Sequence, residues 1–163
     1  MGKTSYAIAL GSNRRSRHGA PAATVAAAAA ALGVEHLSST RHGPALGGAA
    51  RGFANAVALL DSERDPVGLL AELKAMEWSF GRRSGRRWGP RVLDLDIILW
   101  SEGAFEAPGL VVPHPAFRER DFVLEPLAEI APNWRDPISR RTVRQLLFLL
   151  RRPSAVDRRR ART

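Results

Sequence analysis

The chain of 163 residues has no cysteine. That excludes a disulfide framework, a thiolate zinc centre and a cysteine nucleophile, and it allows a reducing compartment. Lysine is scarce too, with only Lys3 and Lys74. Neither lies in a G-x-x-x-x-G-K-[ST] context, so there is no P-loop. No G-x-G-x-x-G follows a strand-like run and no G-x-S-x-G occurs, which removes Rossmann, kinase-loop and nucleophile-elbow readings. The histidines at 18, 36, 42 and 114 lack H-x-x-x-H spacing, which argues against a zinc site. No apolar run reaches the roughly 18 residues of a membrane span. No period of about 20–50 residues marks a repeat architecture.

What is present is ordinary globular composition, 45% hydrophobic, with 25 Lys+Arg against 16 Asp+Glu and a formal net charge of +9. The excess is local. Residues 140–163 hold nine arginines against Asp157 alone, which leaves +8 there and +1 on everything else. The body is nearly neutral, so its basic balance does not make it a nucleic-acid grip. Residues 1–150 read as one domain and 151–163 as a solvated, disordered arginine-rich tail. Arg14-Arg15 before an Ala-rich stretch loosely mimics a twin-arginine export signal. Alanine favours a helix far more than a membrane core, so the stretch reads as a helix and the location as cytoplasmic.

Hydrophobic periodicity predicts a strand at Thr4–Leu10, closed by the turn Gly11-Ser12-Asn13, then a helix at Pro21–Leu32 with Gly33 as its cap. Val34–Arg41 and Phe53–Leu60 read as strands around an irregular loop, 42–52. Pro66–Phe80 is an amphipathic helix and Val92–Trp100 the strongest strand. Phe105–Val112 is placed beside that strand as a hairpin. Phe122–Ile130 and Thr142–Leu150 read as helices. The order β-α-β-β-α-β with extra helices predicts an α+β, ferredoxin-like βαββαβ sandwich. Its antiparallel sheet would carry helices on one face, followed by C-terminal helices.

Side chains alternate along a strand. In Val92–Leu99 that puts Leu93, Leu95, Ile97 and Leu99 on one core-facing side, and Asp94 and Asp96 on the other with Val92 and Ile98. Two carboxylates roughly 7 Å apart on one face repel each other, and aspartate is depleted in strands. Cations must compensate them. Hard oxygen donors on a rigid strand suit Mg²⁺, which takes one or two carboxylates plus phosphate oxygens. The bland alternative is an exposed acidic pair bridged to arginines. Just upstream, Gly81-Arg82-Arg83-Ser84-Gly85-Arg86-Arg87-Trp88-Gly89-Pro90-Arg91 is rich in guanidinium forks that match phosphate oxygens, with glycines spaced for a lid. His114 is held between Pro113 and Pro115.

In order, Gly11-Ser12-Asn13, Phe53-Ala54-Asn55, Glu77 with Gly81-Arg82, Arg87-Trp88-Gly89-Pro90-Arg91-Val92-Leu93-Asp94-Leu95-Asp96, Val112-Pro113-His114-Pro115 and Arg120-Asp121-Phe122-Val123-Leu124 resemble the 6-hydroxymethyl-7,8-dihydropterin pyrophosphokinase family across roughly residues 4–150. The resemblance implies transfer of the terminal diphosphate of ATP to a pterin alcohol in folate biosynthesis. It implies two Mg²⁺ ions held by Asp94 and Asp96, and charge neutralisation by Arg82 and Arg91 as catalytic residues with the two aspartates. It implies that ATP is seated by Glu77, Arg82, Arg87, Trp88, Arg91, Ile97, Leu110, Val111, His114 and Arg120. The pterin would lie between Phe53 and Phe122, meeting Gly43, Pro44, Leu46, Asn55, Trp88 and Asp94. The partners implied are these two small molecules, with neither membrane nor nucleic acid, on a monomer.

This chain departs from the family pattern in places. Arg14-Arg15-Ser16 follow the GSN turn, Gly43 stands where Thr is common, Phe53 where Tyr is common, and Val111 where Thr is common. The arginine loop leaves open whether Arg83 or Arg86 assists ATP. Two rival readings stand beside the resemblance: a ferredoxin-like RNA-binding module with the tail as its electrostatic arm, and another two-metal enzyme such as a nucleotide cyclase.

Overall fold

A computed structural model of the protein describes residues 2–43, 53–81 and 92–153. Its elements are β1 (Thr4–Ser12), α1 (Pro21–Leu32), β2 (His36–Leu37), β3 (Arg41–Gly43), β4 (Phe53–Ser62), α2 (Pro66–Gly81), β5 (Asp94–Trp100), β6 (Phe105–Ala107), β7 (Leu110–Val112), a 3-10 turn (Phe117–Glu119), α3 (Asp121–Ile130) and α4 (Val143–Arg151). The main sheet is antiparallel and runs β2-β4-β1-β5, with β3 also on β4.

Local chemistry sets the helix ends. Pro21 opens α1 and Gly33 closes it in the left-handed region at φ 68°. The Asp65 carboxylate accepts the Gly68 amide at 2.8 Å at the start of α2. Thr142 and Gln145 form a reciprocal capping box on α4.

Two cores lie on opposite faces of the sheet. Tyr6, Ile8 and Leu10 of β1 pack with Val25 and Ala28 of α1 and Leu69 and Leu73 of α2. The alternate residue Ala7 joins Val57, Phe117, Leu124 and Leu127, with Val143 and Leu146 from α4. The helices therefore do not all share one face: α1 and α2 cover one side, and α3 and α4 cover part of the other.

Four further expectations change. Leu99 is not on the face of Leu93, Leu95 and Ile97. Ala7 pairs with Leu99 but Ile8 with Ile97, so Ile98 is an extra residue, and this bulge turns Leu99 into the second core. Val34–Arg41 is not one strand but contains β2 and leads into β3. Ser38 interrupts it: its hydroxyl accepts the Val57 amide at 2.9 Å and donates to the Ser39 carbonyl at 3.0 Å. Residues 105–112 pair with each other, not with β5, as a separate two-stranded sheet whose turn uses Gly109 at φ 77°. Finally, Gly11 and Ser12 are not a turn but the end of β1, paired with Asn55 and Ala54.

Candidate active site

The site grows out of the ends of β1, β4 and β5. In register, Asn55 lies opposite Gly11, and Gly11 opposite Asp94; one step inward, Val57 lies opposite Ala9, and Ala9 opposite Asp96. Small residues on the central strand thus leave open floor between Asn55 and the two carboxylates. A Cβ built on Gly11 would meet the Asn55 Oδ1 at 3.0 Å. Asp94 is exposed and Asp96 half-buried, while Leu95 between them is fully buried.

A cleft of about 920 Å³ stands over this floor, on the face that α3 partly covers. Gly43, Phe53 and Asn55 line it from β3 and β4, Phe122 and Glu125 from α3 with Arg120 just before it, and Asp94 and Asp96 from β5, with His114 beside them in the lining. Phe122 is well exposed, with the Arg120 guanidinium 5.6 Å from its ring centroid. A second cleft of about 630 Å³ lies beyond, lined by Leu70, Ile97, Leu110, Val111 and residues of the β6–β7 turn. Asp96 and His114 line both clefts.

His114 is fixed by its own backbone. Its amide donates to the Ile98 carbonyl at 3.0 Å, and its Nδ1 accepts the Ala116 amide at 3.1 Å. A neutral ring therefore carries its proton on Nε2. Burial pushes its pKa down, the Asp96 carboxylate opposes that, and Arg120 adds to it. The preceding Val112–Pro113 peptide is cis. The 3-10 turn between His114 and Arg120 is anchored by Arg118, whose Nε and Nη2 grip the Asp136 carboxylate at 2.5 and 2.7 Å. Asp136 is fully buried and also accepts from the Ser139 hydroxyl and the Ile138 amide. Burial alone would push its carboxyl up; the Arg118 fork and these donors overcome that and hold it at about 2.

The family model for 7,8-dihydro-6-hydroxymethylpterin-pyrophosphokinase matches residues 7–132. The chain belongs to this family. A relative from Synechocystis, a 2-amino-4-hydroxy-6-hydroxymethyldihydropteridine pyrophosphokinase, is 42% identical over 118 residues, a match covering 72% of this chain and 60% of that one. Its Pseudomonas aeruginosa namesake is 49% identical over 88 residues, 54% of each chain. The Aquifex aeolicus namesake is 36% identical over 115 residues, 70% of this chain and 72% of that one. The first two matches thus span 60% and 54% of those relatives' own length. Among solved structures, Plasmodium falciparum HPPK-DHPS wild type with pteroate superimposes at a TM-score of 0.68 and 11% identity, covering 90% of this chain and 42% of that one. At that identity the likeness speaks for the pyrophosphokinase fold alone.

The pyrophosphokinase residues expected from sequence distribute unevenly. Gly43, Phe53, Asn55, Asp94 and Phe122 line the larger cleft, and Ile97, Leu110 and Val111 the smaller. Arg120, expected with the nucleotide, lines the larger cleft and not the smaller. Glu77 lines neither; its Oε1 accepts the Leu95 amide at 2.8 Å, and its Oε2 lies 3.4 Å from Lys74 Nζ. Pro44, Leu46, Arg82, Arg83, Arg86, Arg87, Trp88 and Arg91 lie outside the described residues, as does the tail from 154 onward. Sequence reasoning missed Ala9, Asn13, Arg41 and Glu125, all of which line the larger cleft. The small residues Ala9 and Gly11 at alternate positions are a readable signal for the floor. Arg41 and Glu125 form an ion pair 84 positions apart in sequence, which no local pattern reveals. Among the described residues, no group of three or more His, Cys, Asp or Glu side chains could hold a metal ion, and no helix is long and apolar enough to cross a membrane.

Proposed function

We propose that the protein transfers the terminal diphosphate of ATP to the hydroxymethyl group of 6-hydroxymethyl-7,8-dihydropterin, giving AMP and the pterin diphosphate, in folate biosynthesis. One observation carries this reading: Asp96 and His114 line two clefts at once, so two substrates bound side by side would meet at the carboxylates. The larger cleft suits a flat heterocycle. Phe53 and Phe122 both line it and offer aromatic rings, and the Asn55 amide both donates and accepts. The smaller cleft, walled by Ile97, Leu110 and Val111, suits the nucleotide.

The residues present fit Mg²⁺. Asp94 and Asp96 present hard oxygen donors on one strand face, beside the open floor at Gly11 and Ala9. A two-carboxylate set short of a protein cage matches an ion that keeps waters and phosphate oxygens. Two bound Mg²⁺ ions would supply charge neutralisation for the polyphosphate. The chain's own part is positional. The pterin hydroxyl oxygen bonds to the β-phosphorus, the bond from that phosphorus to the α-phosphate oxygen breaks, AMP leaves, and the hydroxyl proton is released. Stacking and Asn55 aim the hydroxyl; Arg120 and the Nε2–H of His114 supply positive charge and a donor beside Asp96.

Arg82 and Arg91 as clamps, Arg87 at ATP, Trp88 at both substrates, and Pro44 and Leu46 at the pterin enter this proposal on the family resemblance. Glu77 enters as the support of Leu95. The sheet is of ferredoxin-like order in this proposal: counting β2 and β3 as one strand, the spatial order is second, third, first, fourth, with α1 and α2 on one face. A cytoplasmic monomer acting on these two small molecules, away from membranes and nucleic acids, completes the proposal. The test is chromatography of a reaction with ATP, Mg²⁺ and the pterin. AMP appearing only when all three are present supports the reading; ADP, or AMP without the pterin, contradicts it.

A further inference from the structure

Among the described residues, two buried side-chain polar atoms have no hydrogen-bond partner: the Oδ1 of Asn13 and the Nε of Arg41. Both residues line the larger cleft. Buried polar atoms are nearly always paired, and an orphan is destabilising until something pairs with it. Here one orphan is an acceptor, the other a donor, and both belong to residues that line the same cleft.

The surroundings say what kind of group is missing. Arg41 sits on β3 opposite Asn55 of β4. Its Nη1 pairs with the Glu125 carboxylate, and its Nη2 lies 4.0 Å from Glu129 Oε2. Glu125, which also takes Arg151 Nη2 at 3.2 Å, and Glu129 together balance these two arginines, and the guanidinium plane is held. What remains is a directed N–H, suited to a neutral acceptor rather than a phosphate. Asn13 follows the end of β1, two residues past Gly11 on the floor.

We infer that Asn13 and Arg41 are further substrate-binding residues of the larger cleft. The Asn13 Oδ1 accepts an N–H or O–H of the bound molecule, and the Arg41 Nε–H donates to a carbonyl or ring nitrogen on it. The ligand class is a neutral, flat heterocycle bearing both kinds of group on its edge. This rests on the reading of the cleft as the pterin slot, since a dihydropterin carries amino and ring N–H donors beside a carbonyl and a ring-nitrogen acceptor.

The test is calorimetric titration of the full chain with 6-hydroxymethyl-7,8-dihydropterin in the presence of Mg²⁺ and a nonhydrolysable ATP analogue, paired with thermal melting of the ligand-free protein. Asn13→Ala weakens pterin binding about tenfold. It leaves affinity for the nucleotide analogue within about twofold on the same reasoning. Its ligand-free Tm is unchanged or higher, because an orphan has been removed. Arg41→Lys, which keeps a cation for Glu125 but has no Nε–H, weakens pterin binding in the same direction. Wild-type pterin affinity in both variants overturns the inference while leaving the pterin slot standing. So does a loss of affinity that only follows a fall in Tm. If the wild type itself does not bind the pterin, the slot and the inference fall together.

Discussion

The Glu77 carboxylate accepts the backbone N–H of Leu95 at 2.8 Å, and Leu95 is the residue between Asp94 and Asp96. Among the described strands β5 lies at one end of the sheet, so its outward amides need partners from elsewhere. Helix α2 supplies one from a side chain only 9% exposed. The acidic pair is thereby fixed to a helix on the opposite face of the sheet.

Glu77→Ala removes that acceptor. A hydrogen bond to a charged group contributes about 2 kcal/mol, and the stability loss should be of that order. Turnover should fall about tenfold as the Asp94–Asp96 spacing loosens. Glu77→Gln keeps a carbonyl oxygen for Leu95 and recovers most of both. Steady-state kinetics beside thermal melts check this; a Glu77→Ala protein with wild-type kcat counts against it.

Gly11 separates Asn55 from Asp94 across three strands. In Gly11→Ala the new methyl would lie 3.0 Å from the Asn55 Oδ1, so the amide must give by a few tenths of an ångström. Misplacing a binding group by a fraction of an ångström to an ångström costs on the order of tenfold to a hundredfold. That loss should appear in kcat/KM for the pterin, with KM for ATP and Tm nearly unchanged. A parallel rise in both KM values contradicts the placement.

Asp96→Asn should abolish diphosphate transfer. Several kcal/mol of charge stabilisation is lost, about a thousandfold or more in rate. Relief of repulsion between neighbouring carboxylates on one face should leave the fold at least as stable. Circular dichroism and a coupled AMP assay on one preparation decide it; a folded, active variant removes Asp96 from the metal set.

Stability at low pH should track Asp136. Its folded pKa, about 2, lies below its ordinary value of 3.8. The contribution is therefore fully present above about pH 4 and is lost as pH falls toward 2, about 2 kcal/mol in all. Asp136→Asn should flatten the dependence of Tm on pH in that window. At neutral pH it should cost about 3 kcal/mol, because Arg118 loses its buried partner. An unchanged acid limb in the variant rules out this source.

Most elements were legible because their signals are local. The α1 boundaries follow from Pro21, an alanine run and Gly33, and both aspartates follow from alternation along one strand. What stayed hidden depends on pairing. The bulge at Ile98 exists only because β5 is registered against β1, so strict alternation misassigned Leu99. Ser38 breaks its strand by offering a hydroxyl to β4, which single-strand periodicity does not register. The second layer, α3 and α4 on the far face, is set by which side the chain crosses after β7. The site was partly visible in the same way: the acidic pair stands out in one strand, whereas the Arg41–Glu125 bridge joins distant segments.

The most direct measurement follows the phosphorus. With ATP labelled at the β-phosphate, Mg²⁺ and 6-hydroxymethyl-7,8-dihydropterin, all transferred label should be found in the pterin diphosphate, with unlabelled AMP released in equal amount. Label recovered in ADP or free pyrophosphate, with the pterin unmodified, contradicts transfer between the two clefts.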